Sequence, residues 1–398
     1  MDSGQWAAKF LLSVTAFLII MLAAGSTVVF AEEETQKLID EQYDAAKMGD
    51  FENITDQVMN AEIKQVIPDF DVEKLTKDLT KGKLELNVKS IFQRVLGFFM
   101  EEVYLNVKIM VQLIVLTIIC GILTNLQSSF VKEGVGEVAF FACYIFLVGV
   151  MIKSFMNAVY IGRDVIDNMV IFMQSMVPIL ITLLISTGNI TSATIFQPAI
   201  LFSVQIISAA VKNFLIPIVF FTTALSIVNN ISDKFHISQM VAFLKQVIKW
   251  GLGILLTAFV GVMTVQGFAS SVVDGVASKT AKYAVGNFIP VVGGILSDAV
   301  DTVISCSLLL KNALGIVGLI TVILICFVPV IKIIALIAVY RFTAAVIEPV
   351  SDKRIVQCIS ELGNSLTMIF AMVLTVAVMF LLFITIVIGV GNVSAMFR

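Results

Sequence analysis

One histidine, His236, occurs in the whole chain of 398 residues. A two-histidine metal site is thereby excluded, and with it the HExxH hydrolases. The five cysteines (Cys120, Cys143, Cys306, Cys326 and Cys358) form no CxxC pair. Four sit in apolar stretches, where cysteine acts as a small apolar side chain rather than as a disulfide partner or metal ligand. No GxxxxGKS/T loop is present, so nucleotide hydrolysis by that device is excluded. GLG at 251–253 and VVGG at 291–294 are not phosphate loops; small residues there let helices pack closely. The expectation is therefore a protein that is not an enzyme and takes no cofactor. Charge is scarce as well, at 14% of residues with a net −3. The basic excess that nucleic acid requires is missing.

What remains is apolar. Hydrophobic residues make up 59% of the chain, and the mean hydropathy is +1.00. Soluble domains sit nearer to about 45–50% apolar, so a soluble fold of this length could not hide the surplus. The composition predicts an all-α, polytopic membrane bundle.

The front end differs from the rest. Lys9 precedes an apolar run from Phe10 to Ala24, and Val29-Phe30-Ala31 then leads into three glutamates. Small residues at −3 and −1 suit signal peptidase, so 1–31 reads as a signal peptide cleaved after Ala31; an uncleaved anchor helix is the alternative. Both readings place the following acidic segment outside the cytoplasm. Residues 32–86 hold 15 of the 29 acidic residues against seven lysines and no arginine. From Val88 to Val103 the apolar positions follow helical spacing, with Lys89, Arg94, Glu101 and Glu102 on other faces. Residues 32–105 thus read as a small extracytoplasmic helical region. Its last helix either lies along the membrane surface or belongs to the small domain's own core.

Spanning takes roughly 20 apolar residues. Clear candidates are 107–126, 136–157, 167–187, 248–268 and 366–390. Interrupted ones are 194–211, 214–229, 281–297, 303–322 and 325–345. Two echoes run through them. Pro178 and Pro217 recur at an offset of 112 as Pro290 and Pro329, and ISDK at 231–234 recurs as VSDK at 350–353. These suggest membrane helices over 106–164, then two repeats at 165–270 and 277–390, then a tail at 391–398. Chance similarity between apolar segments is the rival. Ser232 and Ser351 can each cap a short helix, with Asp233 and Asp352 in its first turn. Lysines and Arg354 near both islands put them on the cytoplasmic side, which makes the repeats parallel. His236 reads as a solvated connector residue, with a pH sensor as the alternative.

The stretch NFIPVVGGILSDAVDTVISCSLLLKNALG at 287–315, with MVPILITLLISTGNITSATIFQPAILFSVQ at 176–205, resembles the stage III sporulation protein AE family. The resemblance implies a multi-pass protein of the outer forespore membrane in a sporulating mother cell. It implies a subunit of the channel complex between mother cell and forespore, which is compared with secretion systems. Implied partners are membrane proteins of the same operon, a cytoplasmic ATPase and a forespore membrane protein. A homo-oligomer is the further expectation for a channel subunit of this kind. No catalytic residues are implied.

The residues that bear on mechanism are charges in apolar segments, each costing about 2.5–3.5 kcal/mol at the centre of an isolated span. Asp298 and Asp301 share a helix face at i,i+3, and Lys311 follows. These three are the candidates for a polar pathway or an intersubunit contact. Lys153, Lys212 and Arg341 read as snorkelling side chains or helix-end residues. Pro178, Pro217, Pro290 and Pro329 are candidate helix breaks around a pathway. Two other functions stay open: a stand-alone secondary transporter, and a membrane scaffold that conducts nothing.

Overall fold

A computed structural model describes residues 88–130, 133–231, 237–288 and 293–396, with Thr55, residues 74–76 and Leu79 before them. Its elements are α1 (Val88–Phe130), α2 (Glu133–Ser186), α3 (Ile190–Ala210), a π-helical turn (Val211–Leu215), α4 (Ile216–Asn229), α5 (Ser238–Phe288), α6 (Gly293–Ile347) and α7 (Lys353–Met396). No strand occurs among the described residues, and six helical stretches are long and apolar enough to cross a membrane. The fold is the all-α polytopic bundle that the composition predicts.

Side-chain contacts fix the directions. Tyr144 donates to the carbonyl of Ile227, Phe155 stacks on Phe220, and Lys212 meets Asp167, so α2 runs against the α3–α4 rod. Gly162 faces Ile369, and Gly318 faces both Met176 and Ile384, so α2 and α7 run together with α6 against them. Lys245 pairs with Glu361, and Gly267 faces Ile386, so α5 joins α2 and α7. Gly121 lies against the Val350 carbonyl and Glu102 reaches Lys332, which aligns α1 with α6. Three rods thus run each way. The helix ends at Phe130, Asn229 and Ile347 gather at one end. The turn at 187–189 and the end of α5 at Phe288 gather at the other.

The C-terminal rod is the centre. Ile355, Ile359, Leu362, Leu366, Ile369, Met372 and Val376 recur at three- and four-residue steps, and all are buried. Phe380, Phe383 and Val387 carry the pattern on, so α7 packs against α6, α5, α2 and α4. At its start the carboxylate of Asp352 accepts the Arg354 backbone N–H at 2.8 Å and also meets the Arg354 guanidinium. Burial alone would raise the Asp352 carboxyl, but Arg354 outweighs it and holds that carboxyl below its ordinary value. Asp352 is therefore the N-cap, whereas the Ser351 hydroxyl is buried without a partner. The cap falls one residue later than the spacing suggested, because a carboxylate is the stronger acceptor, and the helix it starts is long. The first island, Ser232 to His236, lies outside the described residues.

The helices are longer than the sequence implied. Nine of the ten candidate segments fall in six stretches, because α2, the α3–α4 rod and α6 each absorb two. The tenth, 281–297, is no span of its own: its described residues are the end of α5 and the start of α6. Pro178 and Pro329 lie inside continuous helices and do not break them. Neighbouring rods hold both flanks in place, and a missing N–H frees only one carbonyl. Pro217 follows the π-helical turn, where the helix is loosened but unbroken. Pro290 lies outside the described residues, as does the expected cleavage point at Ala31. The amphipathic stretch from Val88 is not a separate helix: α1 continues unbroken to Phe130.

Candidate functional site

The far end of the bundle carries its most deeply buried charges. Lys311 on α6 is fully buried and donates to the Ile388 carbonyl of α7 at 3.0 Å. Gly391 makes room for it: a Cβ there would overlap the Lys311 ammonium. Asp301 lies half-buried on the same helix, ten residues or about 15 Å of rise before Lys311. The side chain of Asp298 lies outside the described residues. Of the three predicted residues, then, the structure places Lys311 inside the bundle and Asp301 farther along its edge.

A second buried charge, Asp274 on α5, escaped sequence reasoning. The turn from α2 to α3 is three residues long, with Gly188 at φ 74°, a left-handed value that glycine adopts without strain. Thr187 and Asn189 flank it and are fully buried. Asn189 is placed to cap α3, but its amide nitrogen donates to the Thr187 hydroxyl at 2.6 Å instead. Asp274 supplies the cap from across the bundle. Its two oxygens accept the N–H groups of Thr191 at 2.8 Å and Ser192 at 2.7 Å. A negative charge at a helix N-terminus also opposes the helix dipole. The only trace in sequence is one carboxylate among small residues, SSVVDGVAS.

Halfway along the bundle is a third group. The π-helical turn presents the Lys212 carbonyl to Arg163, whose guanidinium donates to it at 3.2 Å. The Lys212 ammonium pairs with Asp167, so it is no lone snorkelling residue. Arg163, Asp164 and Asp167 line an open depression of about 470 Å³ with Tyr160 and Ile161. The signal was RDVIDN at 163–168, a charged interruption within a long apolar helix. Lys245 and Glu361, with Ser226 at 3.5 Å, form a fourth polar contact nearer the connector end. No two of the five cysteines form a disulfide, and no group of metal ligands occurs among the described residues.

No solved structure matches the chain. A family model described as stage III sporulation protein AE matches residues 70–391. The chain belongs to that family. Stage III sporulation protein AE of Bacillus subtilis (strain 168) is 35% identical over 321 residues, which cover 81% of this chain and 80% of the relative. The matched region contains Lys311, Asp274 and the Arg163–Lys212 group together. With its six long apolar helices, this member of the stage III sporulation protein AE family is a multi-pass membrane protein of sporulation. The family is a sporulation family and not a known enzyme family.

One substitution separates function from folding at the far end. Lys311→Met keeps the volume and removes a buried charge, and replacing buried charge by apolar volume is often neutral or stabilising. The variant is expected to keep a thermal midpoint in detergent within a few degrees of the parent while lowering spore yield. A midpoint that collapses would make Lys311 structural.

Proposed function

We propose that this protein is the integral membrane subunit of the channel complex joining mother cell and forespore, and that it forms or lines part of a transport path. The observation that carries this reading is Lys311, a fully buried ammonium between two largely apolar helices. Charges at such depth face a bundle interior or a cavity and tend to mark transported-ion or substrate paths. Family membership supports the setting, the outer forespore membrane. Without a phosphate-binding loop the chain takes its driving force from a partner, a cytoplasmic ATPase. Membrane proteins of the same operon, a forespore membrane protein and further copies of this chain complete the assembly.

The two repeats enter the same proposal. Lys245 meets Glu361 at a separation of 116, and Gly267 faces Ile386, 119 residues on. These separations are close to the offsets of the proline and SDK echoes. Equivalent rods of two parallel repeats would then lie side by side around the path.

Asp298→Asn combined with Asp301→Asn tests the path. The doubly substituted protein is expected to insert and assemble, and to lower spore yield and forespore gene expression. Normal sporulation would remove both carboxylates from the mechanism.

A further inference from the structure

The rods are too long for one bilayer. Five of the apolar helical stretches run for 40 to 48 residues. At 1.5 Å per residue that is about 60–70 Å, against a hydrocarbon core of about 30 Å. Fitting them by tilt alone would take about 60°, whereas helices in membranes tilt by at most about 40°. The excess does not look like water-facing surface. Phe146 toward the connector end is 71% exposed, and Phe202 toward the far end is 69% exposed. Between the two apolar halves sits the polar group of Tyr160, Arg163, Asp164, Asp167 and Lys212. Asp164 is exposed and accepts one weak hydrogen bond, from Asn168 at 3.3 Å. The Nε of Arg163 is buried without a partner.

We propose that residues 160–167 of α2 form a contact between copies of this chain, and that the second copy covers the apolar half-bundle that the bilayer leaves bare. Copies inserted with the same topology are related by rotation about the membrane normal. Every height on one copy therefore meets the same height on the next. At mid-height that brings a charged band against itself. The band carries both signs, Arg163 and Lys212 against Asp164 and Asp167, so it is complementary to its own repeat. Arg163 of one copy is placed to approach Asp164 of another, and the open depression beside Tyr160 receives the neighbour's side chains. Beyond the band, exposed apolar side chains on one half pack copy to copy, and those on the other half meet lipid. This inference rests on helix length and charge placement, and it holds whether or not the assembly conducts.

Photo-crosslinking in native membranes tests it. The full chain would carry a benzophenone side chain at Tyr160, Phe146 or Phe202 in turn. The expected result is a product of twice the chain mass from position 160 and from one of the other two, with the remaining position crosslinking no protein. Asp164→Arg should cut the product at 160 by about tenfold through like-charge contact. Asp164 is exposed, so that variant should still insert. No double-mass product from 160, products with other proteins only, or identical behaviour at 146 and 202 would each overturn the proposal.

Discussion

Asp274→Ala is expected to destabilise the protein more than any other single truncation of a polar side chain. The carboxylate holds two N–H groups of α3, one part-buried at Thr191 and one buried at Ser192. Hydrogen bonds to a charged group contribute about 1.5–3 kcal/mol each, so losing both should cost roughly 3–5 kcal/mol. No other acceptor is placed to replace it, because the Asn189 side chain is turned toward Thr187. Asp274→Asn keeps one oxygen but sets an amide N–H₂ against the second N–H, so it should recover less than half of the loss. Thermal midpoints of the detergent-solubilised proteins give the ranking, and hydrogen exchange at Thr191 and Ser192 locates the effect. A midpoint for Asp274→Ala equal to the parent's would show that the cap is dispensable.

Gly315→Leu is expected to be nearly as damaging, for the opposite reason. A Cβ at Gly315 would overlap Ile388 at Cδ1 and Cγ1, and a β-branched side chain in a helix has one favoured rotamer to retreat to. Forcing extra carbons into such a contact costs about 1–3 kcal/mol, and a leucine adds three beyond the Cβ. Gly318 is the control. A Cβ there meets the flexible end of Met176, which can swing away. Alanine also gains about 1 kcal/mol of helix propensity over glycine, so Gly318→Ala should be close to neutral and Gly315→Ala a net loss. Equal midpoints for the two alanine variants would contradict this account of the α6–α7 contact.

The fold class was legible because apolar excess admits few solutions, and the apolar runs marked all six membrane stretches. Where rods begin and end was less legible. A run of 20 apolar residues looks like a complete span, so 136–157 and 167–187 read as two spans, and Pro178 as a break, within what is one helix. Continuity there depends on neighbours: the π-turn carbonyl takes Arg163, and α6 packs along Met176. Lys311 was visible in sequence as a charge out of place, but its partner on α7 was not, since 77 residues separate the two. Asp274 was missed for the same reason, because its meaning lies in the free N–H groups of a helix start 82 residues away. The second island shows a subtler miss. The SDK pattern fixed a helix start, but the choice between Ser351 and Asp352 as cap depended on Arg354 reaching back.

The assembly purified from sporulating membranes, imaged as a density map, tests the central claim most directly. The account predicts several copies of this chain seated among other membrane proteins, with the Lys311 end of each bordering a water-accessible path. A single copy whose buried charges are sealed off on every side by packed helices would contradict it.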